Sequence, residues 1–217
     1  MISFTNVSKH FKTQQHKKVI LDRVSLKFES GYSYGLLGVN GAGKSTTMRM
    51  ISGTILPNSG VIKKQCRVSW PLGFSGGFHS AMTGRDNLNF VARAYGEDTA
   101  RVARFVEEFA ELGDYINAPV RTYSSGMMAR LAFGLSMAIQ FDCYLVDEIT
   151  AVGDARFQER CRVAFEGRRK NSDLIMISHG MDTIKNYCDK GIVLVDGRLI
   201  VFDKVEQAIE AYYRLNR

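Results

Sequence analysis

Apolar and polar positions alternate in three runs at the start of the chain, Ile2–Phe11, Val19–Phe28 and Tyr32–Leu37, and each predicts a strand. A glycine-rich turn then leads into a segment of helical spacing, Lys44–Ser52, and Pro57-Asn58-Ser59-Gly60 reads as a turn. Arg67–Trp70 predicts a short strand ahead of a Gly/Ser/Phe loop over residues 71–82. From Thr83 the period lengthens to that of a helix and holds to about Ile139, with breaks at Gly96, Gly113 and Pro119. Thr83-Gly84-Arg85-Asp86 has the spacing of a capping box, with Asp in the usual place of Glu. Strand and helix then alternate: strand Asp142–Val146, helix Ala155–Gly167, strand Asp173–Ile177, helix Met181–Tyr187, strand Ile192–Val195. Asp196-Gly197 predicts a hairpin turn into strand Arg198–Phe202, and an amphipathic helix, Lys204–Leu215, ends the pattern.

This pattern implies an α/β fold with a parallel core sheet, interrupted by a helical insert over about 83–139 in one domain spanning 1–217. A hydrophobic share of 45% in 217 residues is enough for a sizeable core. No stretch reaches the ~18 consecutive apolar residues of a membrane span, and the first residues lack a secretory apolar region, so a cytoplasmic protein is expected. Cys66, Cys143, Cys161 and Cys188 are scattered and never form C-x-x-C, which favours free thiols over a disulfide or zinc site. A net charge of +7 permits contact with phosphates, nucleic acid or anionic lipid and specifies none of them. The basic runs Gln15-His16-Lys17-Lys18 and Arg168-Arg169-Lys170 read as solvated loops.

Chemistry enters at Gly38-Val39-Asn40-Gly41-Ala42-Gly43-Lys44-Ser45, a full G-x-x-x-x-G-K-[ST] between a predicted strand and a predicted helix. Glycines let successive backbone N–H groups turn inward around a β-phosphate, and the helix N-terminus adds partial positive charge. Lys44 is then placed for the β/γ oxygens, Ser45 for Mg²⁺ and Thr46 for a further hydroxyl contact, so the chain is expected to bind a nucleoside triphosphate. About a hundred residues on, strand Cys143–Val146 ends in Asp147-Glu148. There Asp147 suits the Mg²⁺ shell and Glu148 suits the general base that polarises an attacking water. Ser178-His179 closes the next strand, which would bring the His179 imidazole to the same sheet edge; a purely structural histidine is the alternative.

In this order the pieces resemble the nucleotide-binding subunit of an ABC (ATP-binding cassette) transporter over essentially the whole chain. Tyr123-Ser124-Ser125-Gly126-Met127 lies where that family carries its L-S-G-G-Q signature, and Arg130, seven positions after Tyr123, also fits. Ile149–Asp154 occupies the D-loop position with Asp154 as its aspartate, His179 matches the switch histidine, and Phe11 matches the aromatic that stacks on adenine. For Phe11 the alternative is a strand residue packed into the core. The resemblance implies the ABC ATPase fold: a P-loop NTPase core with a mainly parallel sheet, an N-terminal antiparallel β subdomain and an inserted α-helical subdomain. It also implies ATP and Mg²⁺ as ligands, with Lys44, Glu148 and His179 catalytic. Phe11, Gly38, Asn40, Gly41, Ala42, Gly43, Lys44, Ser45 and Thr46 would bind one nucleotide, and Ser124, Ser125 and Gly126 would close over the ATP of a second copy in a head-to-tail homodimer.

Two departures stand out. Ser125 replaces a glycine and Met127 the glutamine of the signature, and no glutamine occurs between Gln65 and Gln140, so the usual Q-loop residue is missing. Its position falls in Leu72–His79, where Ser75 or a main-chain carbonyl is the candidate substitute. That loop, with Met82-Thr83-Gly84-Arg85-Asp86-Asn87, is similar to polysaccharide exporters, most of all the capsular-polysaccharide (polysialic-acid-type) export ATPases of Gram-negative bacteria. The length also suits a chain without the extra C-terminal glycan-binding domain of some O-antigen exporters. The implied protein is a peripheral ATPase on the cytoplasmic face of the inner membrane, docked on a pair of integral-membrane permease subunits that make most of the glycan contacts, with no nucleic-acid partner. The competing readings are a soluble ABC ATPase acting on nucleic acid or ribosomes, an ABC subunit for another substrate, and a small-molecule P-loop kinase. Neither a second cassette nor a coiled-coil insert favours the first of these, and the signature-like stretch opposes the last.

Overall fold

A computed structural model describes residues 1–12, 16–72, 76–147, 154–178 and 180–215. They fall into two compact units, one of residues 1–71, 141–149 and 171–217, the other of residues 72–140 and 150–170.

Among its described residues the first unit holds nine strands in two sheets. Strands β1 (Ile2–Lys12), β2 (Lys17–Phe28) and β4 (Ser59–Lys64) form an antiparallel sheet of order β2-β1-β4. The residue pattern predicts only a turn, Pro57–Gly60, where strand β4 begins. Its pattern hides it, because Val61 and Ile62 are its only apolar residues and almost all of the strand is exposed at the sheet edge. Three lysines among residues 63–64 and 18 are spread over both edge strands of this sheet, a usual way to discourage further pairing.

The second sheet has the order β5-β6-β7-β3-β8-β9. It comprises β3 (Ser33–Leu37), β5 (Val68–Pro71), β6 (Cys143–Asp147), β7 (Asp173–Ile177), β8 (Lys190–Val195) and β9 (Arg198–Phe202). All neighbours are parallel except β8 and β9, which the left-handed pair Asp196 (φ 46) and Gly197 (φ 76) joins as a hairpin. Side chains alternate across the sheet: Leu36, Leu145, Ile175 and Ile192 enter one core with Met48 and Ile51 of helix α1 (Lys44–Ser52) and with Phe4, Ile20 and Leu21 of the antiparallel sheet. Helices α6 (Met181–Tyr187) and α7 (Val205–Leu215) also belong to this unit. The parallel strands β3, β6 and β7 end together, with Asp147 paired to Ile177, which leaves their carboxyl ends at one sheet edge, where open α/β sheets hold ligands.

The second unit is helical: α2 (Gly84–Ala94), α3 (Thr99–Ala110), two short 3-10 turns (Gly113–Asn117 and Val120–Thr122), α4 (Ser125–Ala138) and α5 (Ala155–Arg169). The capping box at α2 forms with Asp: Asp86 N–H donates to Thr83 Oγ1 (3.0 Å) and Thr83 N–H donates to Asp86 Oδ2 (3.2 Å). Arg168, expected in a solvated loop, instead lies in α5 and donates through Nε and Nη2 to the Met137 carbonyl (3.1 and 2.5 Å), while Arg101 Nη1 donates to Ala138 O (3.1 Å). The carbonyls that end α4 therefore have guanidinium donors, and these also suit the negative end of the helix.

Candidate functional site: a phosphate-binding cleft

Strand β3 is buried on both faces and stops at Leu37, after which the chain turns three times through left-handed glycines before α1. Gly43 is the position where nothing else fits: its φ is 114° and a Cβ there would lie 2.4 Å from Ile20 Cγ2. Gly43 is also the N-cap of α1, so no side chain caps that helix. The first intrahelical bond runs from Thr47 N–H to Gly43 O (2.8 Å), and the N–H groups of Lys44, Ser45 and Thr46 precede it at the positive end of the helix. An ordinary helix fills this place with a Ser or Asp cap; this one has no side-chain cap, an arrangement that suits an anion. Lys44 Nζ folds over the loop rim and donates to Gly38 O (2.6 Å) and Val39 O (3.2 Å).

A cleft of about 560 Å³ opens at this loop, within the range of sites for small ligands. Of the residues expected in the site, Phe11, Asn40, Gly41, Gly43, Lys44, Ser45, Thr46 and Asp147 line it together. Gly38 and Ala42 line an adjoining cleft of about 410 Å³ behind the loop. Phe11 is 45% exposed, so its side chain is not a core residue; Lys9 Nζ stands 5.1 Å from its ring centroid. Asp147 ends β6 and shares the cleft with Ser45, a pair of oxygen donors of the kind a hard divalent cation such as Mg²⁺ selects. Glu148 and His179 lie outside the described residues, as do Ser75 and residues 149–153 of the expected D-loop. Lys18, which the basic run predicts in a solvated loop, belongs to β2 and lines the cleft.

Ser124, Ser125 and Gly126 begin α4 in the second unit. Ser124 is the N-cap, and its Oγ accepts from Met127 N–H (3.2 Å), while the N–H groups of Ser125 and Gly126 precede any intrahelical acceptor. Six residues after Ser124, Arg130 Nη2 donates to Asp154 Oδ2 (2.8 Å), and its guanidinium carbon stands 4.4 Å from the centroid of buried Phe157. Asp154 in turn caps α5 by accepting from Phe157 N–H (2.9 Å). Arg130 Nη1 also reaches Ala110 O (3.3 Å), and Arg160 donates to Phe109 O (2.8 Å) and Glu111 Oε1 (2.5 Å), so both arginines close the C-terminus of α3. The sequence marked Arg130 and Asp154 separately; the structure makes them one ion pair between α4 and α5.

Carboxyls of this unit are held below their ordinary range: Asp86 by the Thr83 hydroxyl, Glu111 by the Arg160 guanidinium, Asp154 by the Phe157 N–H. Below the ordinary values of 3.8 for Asp and 4.5 for Glu, the unfolded chain binds more protons than the folded unit. Stability is therefore fully present above that range and is lost as pH falls through it toward the lower folded values. Amide-exchange protection factors in α3, α4 and α5, which correct for the intrinsic slowing of exchange in acid, are expected to fall on acidification through this window, and Glu111→Gln should flatten the change; equal pH profiles of protection for the two proteins would refute the assignment to Glu111.

With this geometry in place, residues 21–151 match the family described as ABC transporter. The chain belongs to the ABC transporter family, as one of its ATPases. Over 215 residues it is 48% identical to the capsule polysaccharide export ATP-binding protein CtrD of Neisseria meningitidis serogroup B, covering 99% of this chain and 100% of that protein. It is 46% identical to the polysialic acid transport ATP-binding protein KpsT of Escherichia coli, covering 98% and 96%. The ATP-binding cassette MJ0796, solved as a dimer in a post-hydrolysis state with ADP and Pi, shares the fold at a TM-score of 0.73 and 18% identity, over 94% of this chain and 98% of that one. Among the described residues no helix is long and apolar enough to cross a membrane.

Proposed function

We propose that this chain is the ATP-hydrolysing motor subunit of an exporter of capsular polysaccharide, bound to a partner permease pair on the cytoplasmic face of the inner membrane. One observation carries the substrate class: the match to capsule and polysialic acid export ATP-binding proteins runs end to end at 46–48% identity. The cleft supports the motor role. Its backbone N–H groups and Lys44 bind the phosphates, Phe11 supplies a face for the adenine, and Ser45 and Asp147 are the residues that would hold Mg²⁺. When bound, that ion neutralises charge on the β- and γ-phosphate oxygens. Glu148 follows Asp147 directly and acts as general base toward the attacking water, and His179 follows the end of β7 as its partner.

Ser124, Ser125 and Gly126 serve the nucleotide of a second copy in a head-to-tail homodimer, with Asp154 held to Arg130 beside them. The glycan touches mainly the permease, so the chain's +7 charge plays no part in choosing it. Deleting the gene is expected to trap finished polysaccharide in the cytoplasm, with export restored by the intact chain. Normal surface polysaccharide in the deletion strain would rule the reading out, and nucleic-acid-stimulated ATP hydrolysis would favour a soluble ATPase instead.

A further inference from the structure

We infer that Lys18 is a second cation of the nucleotide site, reaching the polyphosphate from the strand side and raising affinity for ADP and ATP alike. The inference rests on the reading of the cleft as a nucleotide site. Lys18 and Phe11 are directly paired across β1 and β2, so their side chains share one face of the sheet, and both line the cleft. Ile20, two residues along β2 at a bulge in its pairing with β1, lines the same cleft and lies against Gly43. The spacing repeats on the loop: Lys18 Nζ lies 3.4 Å from where a Cβ on Gly41 would stand, two residues before Gly43. Strand β2 thus runs alongside the phosphate loop, with an apolar contact at the helix cap and an ammonium at the rim.

Lys44 holds the same loop through the Gly38 and Val39 carbonyls. The two lysines therefore lie along one short stretch of backbone. Among the described residues Lys18 has no ion-pair partner, so its charge is available to a ligand. It lies against Gly41, on the loop that wraps the β-phosphate, which is why the contact should serve a diphosphate as well as a triphosphate.

The test is equilibrium binding of ADP and ATP to the full chain. Lys18→Gln is expected to weaken both by about fivefold at low salt, the effect of one partly exposed charge pair. The loss should shrink as salt rises, and Lys18→Arg should bind within about twofold of the parent. Unchanged affinity for both nucleotides in Lys18→Gln, under conditions where Lys44→Ala has lost binding, overturns the role of Lys18 and leaves the cleft assignment standing. Retained binding by Lys44→Ala as well overturns the cleft assignment itself. A loss confined to ATP also overturns the inference, because it would put the ammonium at the γ-phosphate alone. So does a lowered Tm with unchanged affinity, which would make Lys18 a brace of the β1–β2 pair.

Discussion

Lys44→Ala is expected to weaken ATP binding on the order of 10²-fold and to abolish turnover, the effect of losing charge-assisted contacts of about 3 kcal/mol in total. The argument is geometric. The ammonium is anchored at the loop rim by two carbonyls, Gly38 O and Val39 O, on the mouth of the cleft where the uncapped start of α1 gathers its N–H groups. Neutral backbone donors and Lys18 remain after the substitution, so some nucleotide contact persists, but the ammonium folded over the Gly38 and Val39 carbonyls is gone. Titration with a fluorescent nucleotide measures the loss. Affinity equal to that of the parent protein would remove the loop from the binding site.

Glu148→Gln separates binding from chemistry. The amide keeps the size of the side chain and cannot take a proton from water, so kcat is expected to fall by about 10²- to 10⁴-fold while ATP still binds. Asp147 supports the placement: it ends β6 inside the cleft, and the next residue in the chain is Glu148. Trapped in the ATP state, the variant should accumulate as a dimer, visible by size-exclusion chromatography with ATP and absent with ADP. Parental turnover by Glu148→Gln would strike it out as the base.

Much of this was legible in the pattern of residues. Helix α1 and the strands Asp173–Ile177 and Arg198–Phe202 were bounded correctly, because glycine, turn and apolar signals coincide there. The phosphate loop was legible for the same reason: its glycines are demanded by backbone geometry, which sequence records directly. Strand β4 was not legible, since two apolar residues at an exposed edge carry too little alternation to separate them from a loop. Charged residues misled for a different reason. Lys18 and Arg168 sit in basic runs that look solvated, and only the register of β2 against β1, or the end of α4, shows what each one faces. The link from Arg130 to Asp154 spans 24 residues and depends on how α4 and α5 pack, which no local spacing encodes.

Ser124 carries a consequence for what its helix end can recognise. One oxygen lone pair of the hydroxyl is committed to Met127 N–H, and the neighbouring main-chain groups of Ser125 and Gly126 are N–H as well. In the role proposed for it, this end of α4 therefore offers protons and asks for electrons. It discriminates by charge before shape: a terminal phosphate mimic of the right outline but esterified to neutrality would find the same space and far less grip, so the closed dimer would register the presence of an anion rather than the fit of a molecule.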